Sequence, residues 1–181
     1  MLMIGTFWRQ LILTAALPAL MLTAASPAMA QSPCDPLAGC VPAGLGCPDF
    51  NLGLAGTGGN LHYKEFRDKN GNLVRTLSAG KGVLLTYTNY GPDPDNPVAG
   101  KSISIRTDGS VTSTRFNPDG TYTVTATGHN GLIMFPSDVP AGPTATQYTG
   151  RFVYTVDPNT GVFTLDPRTS GTQRDICAEL A

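Results

Sequence analysis

The chain has 181 residues and nearly balanced charge, 12 Lys and Arg against 13 Asp and Glu, for a formal net charge of −1. That balance argues against nucleic acid or an anionic membrane surface as a partner. A charged share of only 14%, with 21 glycines, 15 prolines and no heptad pattern, argues against coiled coils and long helices.

Residues 1–30 read as a signal peptide. A lightly charged start carrying Arg9 precedes an apolar run over 11–25 (LILTAALPALMLTAA), and Ala28-Met29-Ala30 forms the small-x-small pattern a signal peptidase cuts. The run is short for a membrane span and no stop-transfer charges follow it. The sequence therefore predicts a secreted, extracellular protein with no transmembrane segment after cleavage. Without Arg9 it keeps 11 basic and 13 acidic residues, a net charge of −2 (11 − 13). A competing signal is Leu37-Ala38-Gly39-Cys40, a lipoprotein cleavage box that would give a lipid-anchored form at Cys40. Pro27, Pro33, Asp35 and Pro36 separate that box from the apolar run, and the Ala-x-Ala site comes first.

Residues 31–46 (QSPCDPLAGCVPAGLG) form a Pro/Gly-rich, irregular lead-in without periodicity. Residues 47–181 read as a single β domain of short alternating runs separated by turn residues. A run over 61–67 turns at Asp68-Lys69-Asn70-Gly71-Asn72 into 73–78. The run 83–89 (VLLTYTN) is the most apolar, and 91–100 is a proline-rich loop. The run 101–107 turns at Asp108-Gly109 into 110–116, which turns at Asn117-Pro118-Asp119-Gly120 into 121–128. There Tyr122, Val124 and Ala126 share one face and Thr121, Thr123, Thr125 and Thr127 the other, so one face is buried and the sheet is antiparallel. His129-Asn130-Gly131 is read as a turn into 132–135, followed by a loop over 136–146. Runs 148–156 and 162–165 complete the series, and only 173–180 (QRDICAEL) favours a helical turn. The fold class is all-β, an antiparallel meander of about eight or nine strands forming a sandwich or barrel-like domain.

Four cysteines, Cys34, Cys40, Cys47 and Cys177, allow three connectivities in an exported chain. Three cluster early and one stands late, so Cys34–Cys40 is expected as a local loop and Cys47–Cys177 as the closure of the domain ends. A ring of roughly 130 residues is worth about 4–5 kcal/mol in a chain-entropy model. The spacings lack Cys-x-x-Cys and no histidine is near, which argues against a zinc site.

Catalytic signals are sparse. A glycosidase needs two facing carboxylates, and Glu65 and Glu179 are the only glutamates. Most aspartates (Asp68, Asp93, Asp95, Asp108, Asp119, Asp157, Asp166) stand beside Gly, Pro or Asn, where the side chain caps its own turn. No Gly-x-Ser-x-Gly elbow and no His-Glu-x-x-His pair occurs. His62 and Glu65 remain as the weak acid–base candidates, and His129 reads as a turn residue. The stretch 68–72 offers oxygen ligands like the start of a calcium loop, but Leu73 replaces the required glycine, so a hairpin is the better reading. Gly53–Gly59 lacks the Lys-Ser/Thr of a phosphate cradle. No cofactor or metal is expected. Tyr63, Tyr87, Tyr90, Tyr122, Tyr148 and Tyr154, with the phenylalanines, could fill a core or line an apolar pocket.

The end motifs Cys47-Pro48-Asp49-Phe50 and Asp175-Ile176-Cys177-Ala178-Glu179-Leu180 bracket the domain. Together with the leader and the Thr/Gly/Pro bias, residues 47–181 resemble a family of uncharacterised secreted all-β proteins of actinobacteria. The resemblance implies an exported, disulfide-closed β module and carries over no catalytic residue. The expected function is a non-enzymatic binding or surface-interaction module for an extracellular protein, a glycan or a small apolar ligand. Alternatives are an apolar small-ligand carrier and a small extracellular hydrolase or cyclase-type barrel.

Overall fold

The computed structural model describes Cys34 and residues 39–181. The signal-peptide reading of residues 1–30 lies outside the described residues. In chain order the elements are β1 (Cys40–Val41), β2 (Leu52–Thr57), β3 (Asn60–Arg67), β4 (Leu73–Lys81), β5 (Leu84–Asn89), β6 (Ser102–Arg106), β7 (Val111–Phe116), β8 (Tyr122–Met134), β9 (Thr144–Val156), β10 (Phe163–Leu165), β11 (Ser170–Asp175) and α1 (Ile176–Leu180).

All strand pairs are antiparallel, in two open sheets. One has the order β1-β2-β5-β6; the other runs β10-β9-β8-β7-β4-β3, with β11 also on β9. The chain leaves the first sheet after β2 to make the β3–β4 hairpin, returns for β5–β6, then completes the second. The meander is therefore interrupted by three crossings, and the two open sheets form a sandwich and not a closed barrel.

The four-stranded sheet covers one end of the seven-stranded sheet. Leu52 and Tyr87 from the former pack with Ala145 of β9, Phe50 and the α1 residues Ile176 and Leu180, with Ile133 of β8 against them. Tyr87 donates its hydroxyl to Gln147 Oε1 at 3.1 Å inside this core, where both side chains are buried. Burial pushes the Tyr87 hydroxyl up to about 12. The other face of β8 and β9 carries a second core of Ala126, Leu132, Met134, Tyr148 and Phe152. Rings stack in sequence there, Tyr148 on Phe152 at 4.8 Å, Phe152 on Tyr154 at 5.7 Å and Tyr154 on Phe163 at 5.3 Å. Segment 135–143 is tied down beside this core by buried Asp138, whose carboxylate accepts from the Phe135 and Phe163 amides.

Both expected disulfides are present, Cys34–Cys40 and Cys47–Cys177, with Cα atoms 4.6 and 5.5 Å apart. The first engages the Cys40 sulfur, the atom that a lipid thioether would also use. Bonds of this kind persist in oxidising compartments. Among the described residues no helix is long and apolar enough to cross a membrane.

Several local expectations need correction. His129-Asn130-Gly131 is not a turn. β8 continues through it for 13 residues, because β9 pairs with it over its whole length. The turn signal marks a bend inside the ladder, where Gly128 at φ 85° faces Gly150 at φ 138°. A Cβ on Gly131 would lie 2.1 Å from the Tyr87 hydroxyl, so the glycine gives this core side chain room. Among the described residues there are eleven strands, where about eight or nine were expected. β1 lies within the stretch read as irregular, and Cys40 and Val41 pair with Gly53 and Leu52. β2 runs through the glycine-rich segment, and β9 begins at Thr144, inside the expected loop. Residues 170–175, half of which were expected to be helical, form β11 along β9. Asp175 then caps α1 by accepting from the Ala178 amide at 3.0 Å.

Candidate functional site

The four-stranded sheet packs on the end of the seven-stranded sheet that carries Ile133 and Ala145. Over the rest of that same face, β-strand alternation places Arg75 (β4), Ser113 and Arg115 (β7), Thr123 and Thr125 (β8), and Arg151 and Val153 (β9) side by side. With Asn117 and Arg168 from flanking turns they line a cleft of about 310 Å³. The polar face read from the threonines of 121–127 is its floor.

Half of the chain's eight arginines line this cleft, and none of its lining residues is acidic. The remaining described arginines are each neutralised by a carboxylate: Arg67 by Glu65 at 2.7 Å, Arg106 by Asp108, and Arg174 by Glu179 at 2.6 Å. Within the cleft only Arg168 has such a partner, a two-pronged contact to Asp166 at 2.8 and 2.6 Å. That contact holds the Asp166 carboxyl down at about 2, helped by the Arg168 backbone amide. Arg151 donates to the Arg168 carbonyl at 3.2 Å. Arg75 lies over the Phe66 ring, 4.1 Å from its centroid, and Lys64 approaches the same ring at 5.1 Å. Arg115 makes no ion pair or hydrogen bond among the described residues.

Arg75 and Arg115 are direct cross-strand partners. Like charges in that relation destabilise a sheet, by about 0.2–1 kcal/mol. A sheet built for stability alone would place a carboxylate or threonine at one of the two positions. Breaches of a local rule of this sort concentrate at functional sites. Asn117 organises the adjoining corner, donating to the Thr121 and Thr123 hydroxyls at 3.0 and 3.1 Å.

His62 and Glu65 are both exposed on β3. They lie three residues apart in an unbroken ladder, opposite Ala79 and Thr76, and so face opposite sides of the sheet. They do not converge, and Glu65 is committed to Arg67. His129 lies within β8, where its carbonyl accepts from the Ser110 hydroxyl. The aspartates at 68, 93, 119 and 157 accept from amides two residues on, as turn formers do. Among the described residues no three His, Cys, Asp or Glu side chains gather. A second, smaller cleft of about 130 Å³ lies beside Cys40, Leu54 and Tyr90. Neither cleft is lined by phenylalanine.

Sequence reasoning missed the four arginines. Their only trace in the sequence is that Arg75, Arg115 and Arg151 fall at polar positions of alternating runs. Which of them are neighbours depends on strand register, which the sequence does not state.

No family model, curated protein or solved structure matches the chain.

Proposed function

We propose that this is an exported, non-enzymatic binding module that captures an anionic extracellular ligand in the cleft of Arg75, Arg115, Arg151 and Arg168. The observation that carries the reading is the segregation of charge. A chain with slight net negative charge collects half of its arginines in one concave site and leaves three of those four without a carboxylate. Guanidinium forks recognise carboxylate, sulfate and phosphate oxygens in pairs. The leader, the two disulfides and the resemblance to secreted actinobacterial β-proteins support export. The scattered positions of His62 and Glu65 weigh against the hydrolase alternative. The stacked interior placement of Tyr148, Phe152 and Tyr154 weighs against the apolar carrier.

A titration of the oxidised protein with polygalacturonate at low and high salt tests the reading. Binding at low salt that weakens as salt rises is the expected result. Absence of binding to any polyanion at low salt overturns it. One observation favours a second reading, contact with a protein. On the other face, β3, β4 and β7 expose Leu61 (48%), Tyr63 (49%), Val74 (38%) and Phe116 (37%). Exposed apolar patches of this type often form interfaces. Salt-insensitive self-association abolished by Tyr63→Ser would favour this alternative.

A further inference from the structure

We infer, resting on the anion-binding reading above, that the ligand is an acidic polysaccharide held by two cationic ends of the cleft at once. The cations fall into two groups. Arg75 and Arg115 face each other across β4 and β7, with Lys64 beside them over Phe66. Arg151 and Arg168 form the other group, joined by the bond from Arg151 to the Arg168 carbonyl. Ser113, Thr123 and Thr125 lie between them.

Strand register sets the separation. Arg115 is level with Thr123 and, through it, with Thr155 on β9, whereas Arg151 stands four residues before Thr155. Two strand spacings and four residues of rise put the Arg115 and Arg151 Cα atoms about 16 Å apart. A chain bearing an acid on successive sugar units can pair with both groups at once, one acid at each end. The hydroxyls between the two groups both donate and accept, which suits sugar hydroxyls. Nucleic acid is the competing polyanion. No aromatic ring lines the cleft and Phe66 beside it already carries Arg75 and Lys64, so bases would have no free stacking platform, and a net-negative chain disfavours a duplex.

The test is calorimetric titration of the oxidised protein with galacturonic acid monomer, its hexamer, a heparin hexasaccharide, neutral maltohexaose and oligo-dT. The expected result is that an acidic hexasaccharide binds about 10²-fold or more tightly than galacturonic acid. That gain disappears at about 1 M salt. The two acidic hexamers report whether carboxylate or sulfate is preferred. Arg75→Thr with Arg115→Thr, and separately Arg151→Thr, should each bring the hexamer down to monomer affinity. Equal affinity for monomer and hexamer overturns the two-ended ligand but leaves an anion site. Equal or tighter binding of oligo-dT or maltohexaose overturns the acidic-glycan assignment. Failure of every acidic ligand to bind at low salt overturns the anion-binding reading as well. The length comparison uses the unaltered protein and stands whether or not the variants fold.

Discussion

The two halves of one sheet face have opposite chemistry. Where the four-stranded sheet lies on it, β8 and β9 present Gly131, Ile133, Ala145 and Gln147, small, apolar or internally satisfied groups. A few residues further along the same two strands they present Thr123, Thr125, Thr127 and Arg151. One pair of 13-residue strands therefore serves as core wall at one end and open polar floor at the other. One core lies under the smaller sheet, together with the Cys47–Cys177 bond, and a second backs the opposite face of β8 and β9. The exposed half can then tolerate facing arginines that would be a liability in a marginal fold.

Substitutions at the covered end should damage the fold and spare the cleft. The largest effect is expected from Ile176→Ala, which empties a site of 0% exposure. Denaturant unfolding should show a loss of about 2–5 kcal/mol, while anion affinity measured on the folded fraction stays unchanged. A smaller effect, about 1–3 kcal/mol, is expected from Tyr87→Phe, which strands the Gln147 amide oxygen in the core. If this variant lost binding and kept its stability, the division between the halves would be wrong. Arg115→Thr should act in the opposite sense. It relieves the pairing with Arg75 and should leave stability unchanged or raise it by about 0.2–1 kcal/mol, while polyanion affinity falls. A destabilised Arg115→Thr would show that the arginine supports the sheet.

The smallest effect sharpens the same contrast through pH. Asp166 is held at about 2 in the folded protein against an ordinary value of 3.8. Its folded value is depressed, so the stability it contributes is complete above about 4 and drains away as pH falls toward about 2. Asp166→Asn should flatten the acid limb of a stability–pH curve within that window. It should also free Arg168 from its bidentate partner and strengthen polyanion binding at neutral pH. Weaker binding in this variant would mean that Asp166 positions Arg168 for the ligand.

Much of the scaffold was legible because it depends on short-range signals. The alternation of Tyr122, Val124 and Ala126 against Thr123, Thr125 and Thr127 sorted core face from polar face, and Val124 and Ala126 are buried. Cysteine clustering anticipated both bridges. The failures have physical causes. Asn130-Gly131 carries a strong local turn preference, but a fully paired neighbour overrides it. β11 is exposed along its whole length and so has no alternation to detect. β1 has two residues, too few for any periodicity. The cleft is long-range by nature: Arg75 and Arg115 stand forty positions apart in the sequence and meet only through register. Ion pairing had the reverse property, since Arg67 with Glu65, Arg106 with Asp108 and Arg168 with Asp166 are each two residues apart.

The bond from Cys47 to a partner 130 residues later imposes an order of events on the maturing chain. Cys34 and Cys40, only six apart, can join as soon as both emerge. Cys47 has to wait as a thiol while every strand from β2 to β11 is made. In that interval its available partners are the wrong ones. An oxidant that acts too early would trap Cys47 with a neighbour and leave Cys177 alone, so correct maturation favours a catalyst that can undo a premature bond as readily as it makes one.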